Sequence, residues 1–415
     1  FLPPNKTAPQ GDGAVAYTIN AKPNQPTGTE IRNKARIFFD QNAPIDTPEW
    51  LNTIDNSLPT SHVTPLASNQ SSIVFNVTWA GQDTGSGIRN FDGYVSENGG
   101  SFTRWLVNAS ANSALFIGLP GKSYRFYSIA HDGAGNLETA KTQSEALTST
   151  PSSVVNSIDD PRYFAWRHYH DFLSREPDQS GLDFWTNQIT SCGSDAPCAE
   201  VKRINVSAAF FLSIEFQETG YLAYLTYKES YGNLSGAPVP LRLTELLLDS
   251  QELSNGLIVN QTGWEQVLEN NKQAYMSEFV QRSRFTAAFQ TTMTPAQFVD
   301  KIYLNAGVTP SVPDRTAAIN EFGTASTTGD VAARARVLRR VTDNSTFRQQ
   351  EFNKAFVLMQ YFGYLRRNPN DAPDSDFAGY NFWLSKLNQF NGDFINAEMV
   401  KAFISSTEYR QRFGP

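Results

Sequence analysis

Tyr169-His170-Asp171-Phe172-Leu173-Ser174-Arg175-Glu176-Pro177-Asp178-Gln179-Ser180-Gly181-Leu182-Asp183-Phe184-Trp185 is the stretch that decides the fold of the second half of the chain. Aromatic and apolar residues return at three-to-four spacing up to Leu173, Pro177-Asp178 marks a turn, and the apolar rhythm resumes at Leu182. The pattern predicts two helices joined by a capped turn. The same order recurs near the C-terminus, where Tyr361-Phe362-Gly363-Tyr364-Leu365-Arg366-Arg367-Asn368-Pro369-Asn370 leads to Gly379-Tyr380-Asn381-Phe382-Trp383. One copy ends in Ser213-Ile214-Glu215-Phe216 and the other in Ser406-Thr407-Glu408-Tyr409. A degenerate third copy is expected between them, from Phe298-Val299-Asp300-Lys301-Ile302-Tyr303 to Val341-Thr342-Asp343-Asn344-Ser345-Thr346-Phe347-Arg348.

Elementary chemistry accounts for the motif without a ligand. Arg175 and Arg367 lie near helix ends and can pair with the terminal carbonyls, Pro177 and Pro369 set the turn, and Asp178 can cap the next helix. Gly181 and Gly379 allow close backbone approach, and Phe184-Trp185 and Phe382-Trp383 are expected to fill the core.

The motifs resemble the DUF4214 family, a helical repeat of secreted bacterial proteins that is itself similar to phycobilisome linker domains in its Arg-x-Pro-(Asp/Asn) turn and terminal Ser-x-Glu-(Tyr/Phe). The resemblance implies a helical fold and a place on the surface of a bacterium of acidobacterial type, but no activity. The last copy departs from the pattern, with Asn370 for the usual Asp and an insertion before Gly379.

Upstream the period changes to two. Ala14-Val15-Ala16-Tyr17-Thr18-Ile19 and Ile31 to Asp40 alternate as strands bounded by Gly, Pro and Asn. Two or three strands cannot close a sandwich, so this segment is expected to be a cut module or one completed by a partner. Residues 72–79, 90–96 and 102–105 read as further strands, the last two joined by a Glu97-Asn98-Gly99-Gly100 turn. Leu119-Pro120-Gly121-Lys122-Ser123-Tyr124 with Trp79 resembles the fibronectin type III pattern of a corner tyrosine and an early core tryptophan. The expected fold is multi-domain. An N-terminal all-β part of immunoglobulin- or fibronectin-III-like sandwiches comprises a partial module over 1–60 and a sandwich over 61–150. An all-α repeat region follows over 156–235, 236–352 and 353–415.

Composition bounds the partners. A net charge of −7 argues against nucleic acid and anionic membrane, each of which needs a basic stripe. With 13% aromatic and 18% charged residues the chain is packed and not disordered. No run of about 18 apolar residues predicts membrane insertion. The first residue is Phe1, which suggests processing from a secreted precursor. The two cysteines, Cys192 and Cys198, flank a loop that a local disulfide can close, which places the chain outside the cell. A metal site there would need two more soft ligands. Asn-x-Ser/Thr sequons stand at Asn5, Asn69, Asn76, Asn108, Asn205, Asn233, Asn260 and Asn344, as a composition rich in Asn, Ser and Thr also produces by chance.

Catalytic patterns are sparse. Four histidines are present, and His168 and His170 diverge on a helix, so packing is their simplest role. Asp159-Asp160 and Glu215 with Glu218 could serve a glycosidase only across a cleft, and caps explain them as well. Asp83, Asp92, Asp132 and Asn136 flank glycine-rich turns and could ligate calcium, or simply shape those turns. Tyr221, Tyr224, Tyr227 and Tyr231 form a stripe whose simplest role is packing, with stacking on sugars as the alternative. The reading that follows is a non-enzymatic structural or adhesive protein of the cell surface or an extracellular filament, associating with copies of itself or other surface proteins. The alternative is a carbohydrate-binding accessory region of a secreted enzyme.

Overall fold

The structure, a computed structural model, describes residues 14, 16, 18–38 and 42–414. It has a β-rich region followed by a helical one, in two compact units: residues 1–70, 75–118 and 122–150, and residues 71–74, 119–121 and 151–415.

The β-rich unit begins with β1 (Glu30–Asn33), β2 (Arg36–Ile37), β3 (Ile45–Asp46) and β4 (Trp50–Thr53). β1 pairs with β4 and β2 with β3, both antiparallel, giving two short ribbons. The single strand expected from Ile31 to Asp40 is therefore broken after Asn33. In the segment 14–19, Val15 and Tyr17 lie outside the described residues and the rest form no strand. Apolar side chains on the ribbons face outward: Trp50 is 70% exposed, Phe38 67% and Ile45 55%.

Seven strands follow: β5 (Thr60–Val63), β6 (Val74–Gln82), β7 (Ile88–Glu97), β8 (Thr103–Ala109), β9 (Ser113–Ile117), β10 (Ser123–Asp132) and β11 (Ala146–Ser149). They form a four-stranded sheet in the order β11-β10-β7-β8 and a three-stranded sheet in the order β5-β6-β9. Along β6, Phe75, Val77 and Trp79 are buried while Asn76 and Ala80 are exposed, the period-two signature of a strand with one face in a core. Both sheets supply one apolar cluster that includes Val77, Trp79, Phe91, Phe116 and Phe126. Asn98 and Gly99 take positive φ at 48° and 76°, as a tight turn from β7 into β8 requires.

The helical unit runs through α1 (Pro161–His168), α2 (Gln179–Thr190), α3 (Ala196–Leu212), α4 (Ile214–Glu218) and α5 (Gly220–Tyr231). It continues with α6 (Leu243–Leu253), α7 (Trp264–Phe279), α8 (Ser283–Ala288), α9 (Pro295–Ala306) and α10 (Val312–Asn320). It ends with α11 (Val331–Thr342), α12 (Ser345–Gln360), α13 (Ala378–Gln389), α14 (Met399–Ser405) and α15 (Thr407–Gln411). Starts are capped by local chemistry: Asp160 before Pro161, Asp178, Asp195, Ser213, Thr294 before Pro295, Asn344 and Ser406 each accept from the first turn. The helices of the segments 156–235, 236–352 and 353–415 share one apolar cluster. No helix among the described residues is long and apolar enough to cross a membrane.

Helix α5 is buried on nearly every side, packed against α4, α6, α9, α11 and α12. Its tyrosine stripe is therefore core and not a sugar platform: Tyr221, Tyr224 and Tyr227 are buried and Tyr231 half-buried. Their hydroxyls find partners inside. Tyr224 donates to Glu351 Oε2 at 2.8 Å, Tyr221 donates to the Arg348 carbonyl, and Tyr227 Oη accepts from Arg282 at 3.2 Å.

Candidate functional site

The carboxylates singled out in the β-rich unit separate along the ladder. β10 pairs with β7 so that Asp132 faces Ile88 and Ile129 faces Asp92. Asp83, on the loop entering β7, thus meets Asp132, whereas Asp92 stands three residues along, about 10 Å away at strand rise. Asp92 is buried and accepts from the Asn108 N–H at 2.9 Å, with His131 Nε2 at 3.2 Å from its other oxygen. It is not part of the cluster expected from the sequence. Its place is taken by Asp55, which follows β4: one oxygen each from Asp55, Asp83 and Asp132 lie within 4.8 Å of one another.

Among the described residues these three carboxylates are the set that could hold a hard cation such as calcium. Most of their oxygens already accept hydrogen bonds. Asp132 Oδ1 takes the N–H groups of Gly135 and Asn136, each at 2.7 Å, and its Oδ2 takes the Asn136 side-chain amide at 2.7 Å. Asp55 accepts from Ser57 at 3.0 Å and Ser86 at 2.7 Å, and the Ser86 N–H holds its carboxyl below the usual range. Asp83 Oδ2 accepts from Gly87 at 2.8 Å, while its buried Oδ1 has no partner. Gly85 is required, because a Cβ there would sit 2.4 Å from the Asp55 carboxylate. Turn shaping is thus the role these contacts carry. Asp132→Ala is expected to lower the stability of this unit by about 1–3 kcal/mol with chelator present, through three orphaned donors. Tryptophan-fluorescence unfolding measures it, and an unchanged midpoint would show that the turn is held by other means.

In the helical unit the two motif copies build the same device. Tyr169–Leu173 and Tyr361–Leu365 are each a single π-helical turn, ended by a left-handed residue, Ser174 at φ 54° and Arg366 at φ 56°. The arginine that follows does not chiefly bind helix-terminal carbonyls. Arg175 forks onto Glu215 at 2.5 and 2.8 Å, and Arg367 onto Glu408 at 2.6 and 3.2 Å, with Asp374 also at 2.8 Å. The opening and closing motifs are therefore two halves of one ion pair. The signal was present in the sequence, since both residues recur in both copies. Gly181 lies beneath Tyr169 and Gly379 beneath Tyr361, where a Cβ would come within 2.3 and 2.7 Å of the phenol oxygens.

Other motif residues divide. Trp185 and Trp383 pack on the core, but Phe184 and Phe382 are 53% and 59% exposed, a departure from the expected core filling. Pro177 and Pro369 lie in the irregular turn segments, and Asp178 caps α2 through the Gly181 N–H at 2.8 Å. In the second copy the residue before α13 is Phe377, which has no side-chain cap, and Asp376 accepts from the Ala378 N–H at 2.8 Å. The stretch Phe298–Arg348, expected as a third copy, contains no π-helical turn.

Cys192 and Cys198 form a disulfide. Asp160 caps α1, Asp159 pairs with Arg410, Glu215 with Arg175, and Glu218 with Lys272 and Arg348, so each of these acids has a structural partner. His168 is buried between the Phe164 carbonyl at 2.7 Å and Ser207 Oγ at 2.6 Å, and burial holds its imidazole down at about 4. Of the sequons, Asn5 lies outside the described residues, and Asn69, Asn76, Asn108, Asn205, Asn233 and Asn260 are exposed. Asn344 is half-buried with its side chain capping α12 at the Phe347 N–H, 3.0 Å.

Residues 1–53 match the family described as a domain of unknown function, DUF7619. No curated protein matches the chain. No DUF4214 match is found for the helical half, and the family match lies outside the stretch that resembles fibronectin type III, so both resemblances are corrected. The physical reason lies in what carried them. An Arg-x-Pro turn, a serine cap and a corner tyrosine are local solutions to capping and packing that unrelated folds reach independently.

Proposed function

We propose that the protein is a non-enzymatic extracellular component, structural or adhesive, whose β-rich unit serves as a spacer and whose N-terminal ribbons associate with a second copy. The observation that carries this reading is the exposure of Ile37, Phe38, Ile45, Trp50 and Leu51 on two-stranded ribbons with open edges. The ribbon charges are already matched: Arg32 with Glu30 and Glu49, and Lys34 and Arg36 with Asp46. What is left to recognise is apolar surface and unpaired strand edge, and another ribbon of this sequence offers both. The disulfide supports an oxidising compartment. The shared core of the two sheets supports their packing as a β-sandwich.

Sedimentation velocity over a concentration series tests the association. The chain is expected to self-associate, and Ile45→Ser with Trp50→Ser to weaken this roughly tenfold or more, about 1.4 kcal/mol or above. A monodisperse monomer at every concentration would overturn the reading. The carbohydrate-binding alternative loses the feature that motivated it, because the α5 tyrosines are buried.

A further inference from the structure

Two cavities open in the helical unit. One, of about 880 Å³, lies among α7, α9, α11 and the start of α12, and a second, of about 800 Å³, lies among α4, α5, α12 and the end of α13. Ser345, the first residue of α12, lines both. Each volume lies within the range of about 300–1,000 Å³ usual for small-molecule sites.

The lining decides the ligand class. The second cavity is set with side-chain amides, Gln217, Gln349, Asn353, Asn388 and Asn391, around the half-buried ring of Phe352. Among the described residues Gln349 and Asn391 make no side-chain hydrogen bond within the protein, and Asn353 donates to Asn388 Oδ1 at 2.8 Å, fixing that pair. An amide offers donors and an acceptor together, which is what a hydroxyl also offers, and an aromatic ring beside them gives an apolar C–H face somewhere to rest.

In the first cavity most charges are paired with one another, although Asp314 has no cationic partner among the described residues and Arg339 Nη1 is buried without a hydrogen-bond partner. Arg336 and Arg340 both hold Glu321, at 2.8 and 2.7 Å, and Arg339 holds Asp343 at 2.7 Å and Glu269 at 3.2 Å. Lys272 is bound to Glu218. In the second cavity the one charged lining residue, Arg348, is held by Glu218 at 3.1 Å, so an anionic polymer would have to break that pair to be held. A peptide would be held by a strand edge or a row of apolar pockets, and a helical, amide-lined groove offers neither.

We propose that the second cavity forms a binding groove for a neutral glycan chain, with Gln349, Asn353 and Asn391 as hydroxyl-binding residues and Phe352 as the stacking ring. This goes beyond the association of copies, since the groove and the ribbons share no residue. Affinity electrophoresis of the full chain through gels containing cellulose, xylan, starch or chitin derivatives tests it, with heparin, polygalacturonate and gelatin as comparisons. Retardation by at least one neutral polysaccharide is expected. Gln349→Ala with Asn391→Gly should weaken that retardation at least tenfold; both side chains are exposed, and glycine suits the positive φ of 51° at the second position. Phe352→Leu should do likewise while keeping the core filled. No retardation by any neutral polysaccharide, stronger retardation by an anionic one or by gelatin, or an unaffected double variant would overturn the proposal.

Discussion

Asp171→Ala is expected to destabilise the helical unit by about 3 kcal/mol, because it strips the partner from three arginines at once. Asp171 lies on the first π-helical turn with its side chain 3% exposed. Arg167 bonds it at 2.8 and 3.1 Å, and Arg412 reaches both of its oxygens at 3.0 Å. Arg366, the left-handed residue after the second π-helical turn, stands 3.8 Å away. One carboxylate therefore ties the first motif copy to the second and to the C-terminal residues. The corresponding position in the second copy is Gly363, where a Cβ would sit 2.5 Å from the Phe172 ring. The two turns meet face to face, so only one of them has room for the acid. For a domain of this size, the melting midpoint followed at 222 nm should fall by roughly 10 °C. Asp171→Asn, which keeps an acceptor, should lose less. Combining Asp171→Ala with Arg412→Ala should cost less than the sum of the two, and strict additivity would show that the groups do not interact.

Glu229→Gln is expected to act in the opposite direction and to do so as a function of pH. Glu229 on α5 is fully buried, and neither carboxylate oxygen has a hydrogen-bond partner. Burial pushes its carboxyl well above the usual range, and the nearby Asp343 charge adds to the effect. The native state then keeps a proton that the unfolded chain releases. Its favourable contribution is complete below the unfolded value, near 4.5, and is lost as pH rises toward the folded value, at about 1.4 kcal/mol per pH unit within that window. The neutral amide of the Glu229→Gln variant would carry no such slope. The stability difference between variant and parent, from denaturant titrations at pH 5, 6, 7 and 8, should grow in favour of the variant as pH rises. Parallel curves would show that the buried carboxyl does not titrate with folding.

The features legible beforehand were those set within a few residues. Alternation along residues 72–79, the Asn98-Gly99 turn and the Asp178 cap each depend on neighbours in sequence, and each stands where the pattern put it, with β6 displaced slightly to Val74–Gln82. The tyrosine stripe of α5 was visible as a stripe and most simply as a packing face, but the sequence did not decide between core and sugar platform. A helical face of aromatics has the same period whether other helices cover it or not. The carboxylates failed in the same way. Asp92 and Asp83 both flank turns, and only the pairing of β7 with β10 tells which one meets Asp132.

By itself, then, the sequence determined that strands precede helices, that one helical motif occurs twice, and that its two cysteines lie close enough to bridge. All of these rest on local spacing, because hydrophobic period, capping and short-loop closure act over a turn or two of chain. Tertiary structure decided that Arg175 and Arg367 grip Glu215 and Glu408, for which their recurrence in both copies was the one sequence signal, and it alone decided that Asp55 joins Asp83 and Asp132 and that one aspartate gathers three arginines. Apart from Arg167, four residues before Asp171, those partners lie tens to hundreds of residues apart. Their meeting depends on which buried faces pack together, and the arrangement of the chain in space sets that, not its order.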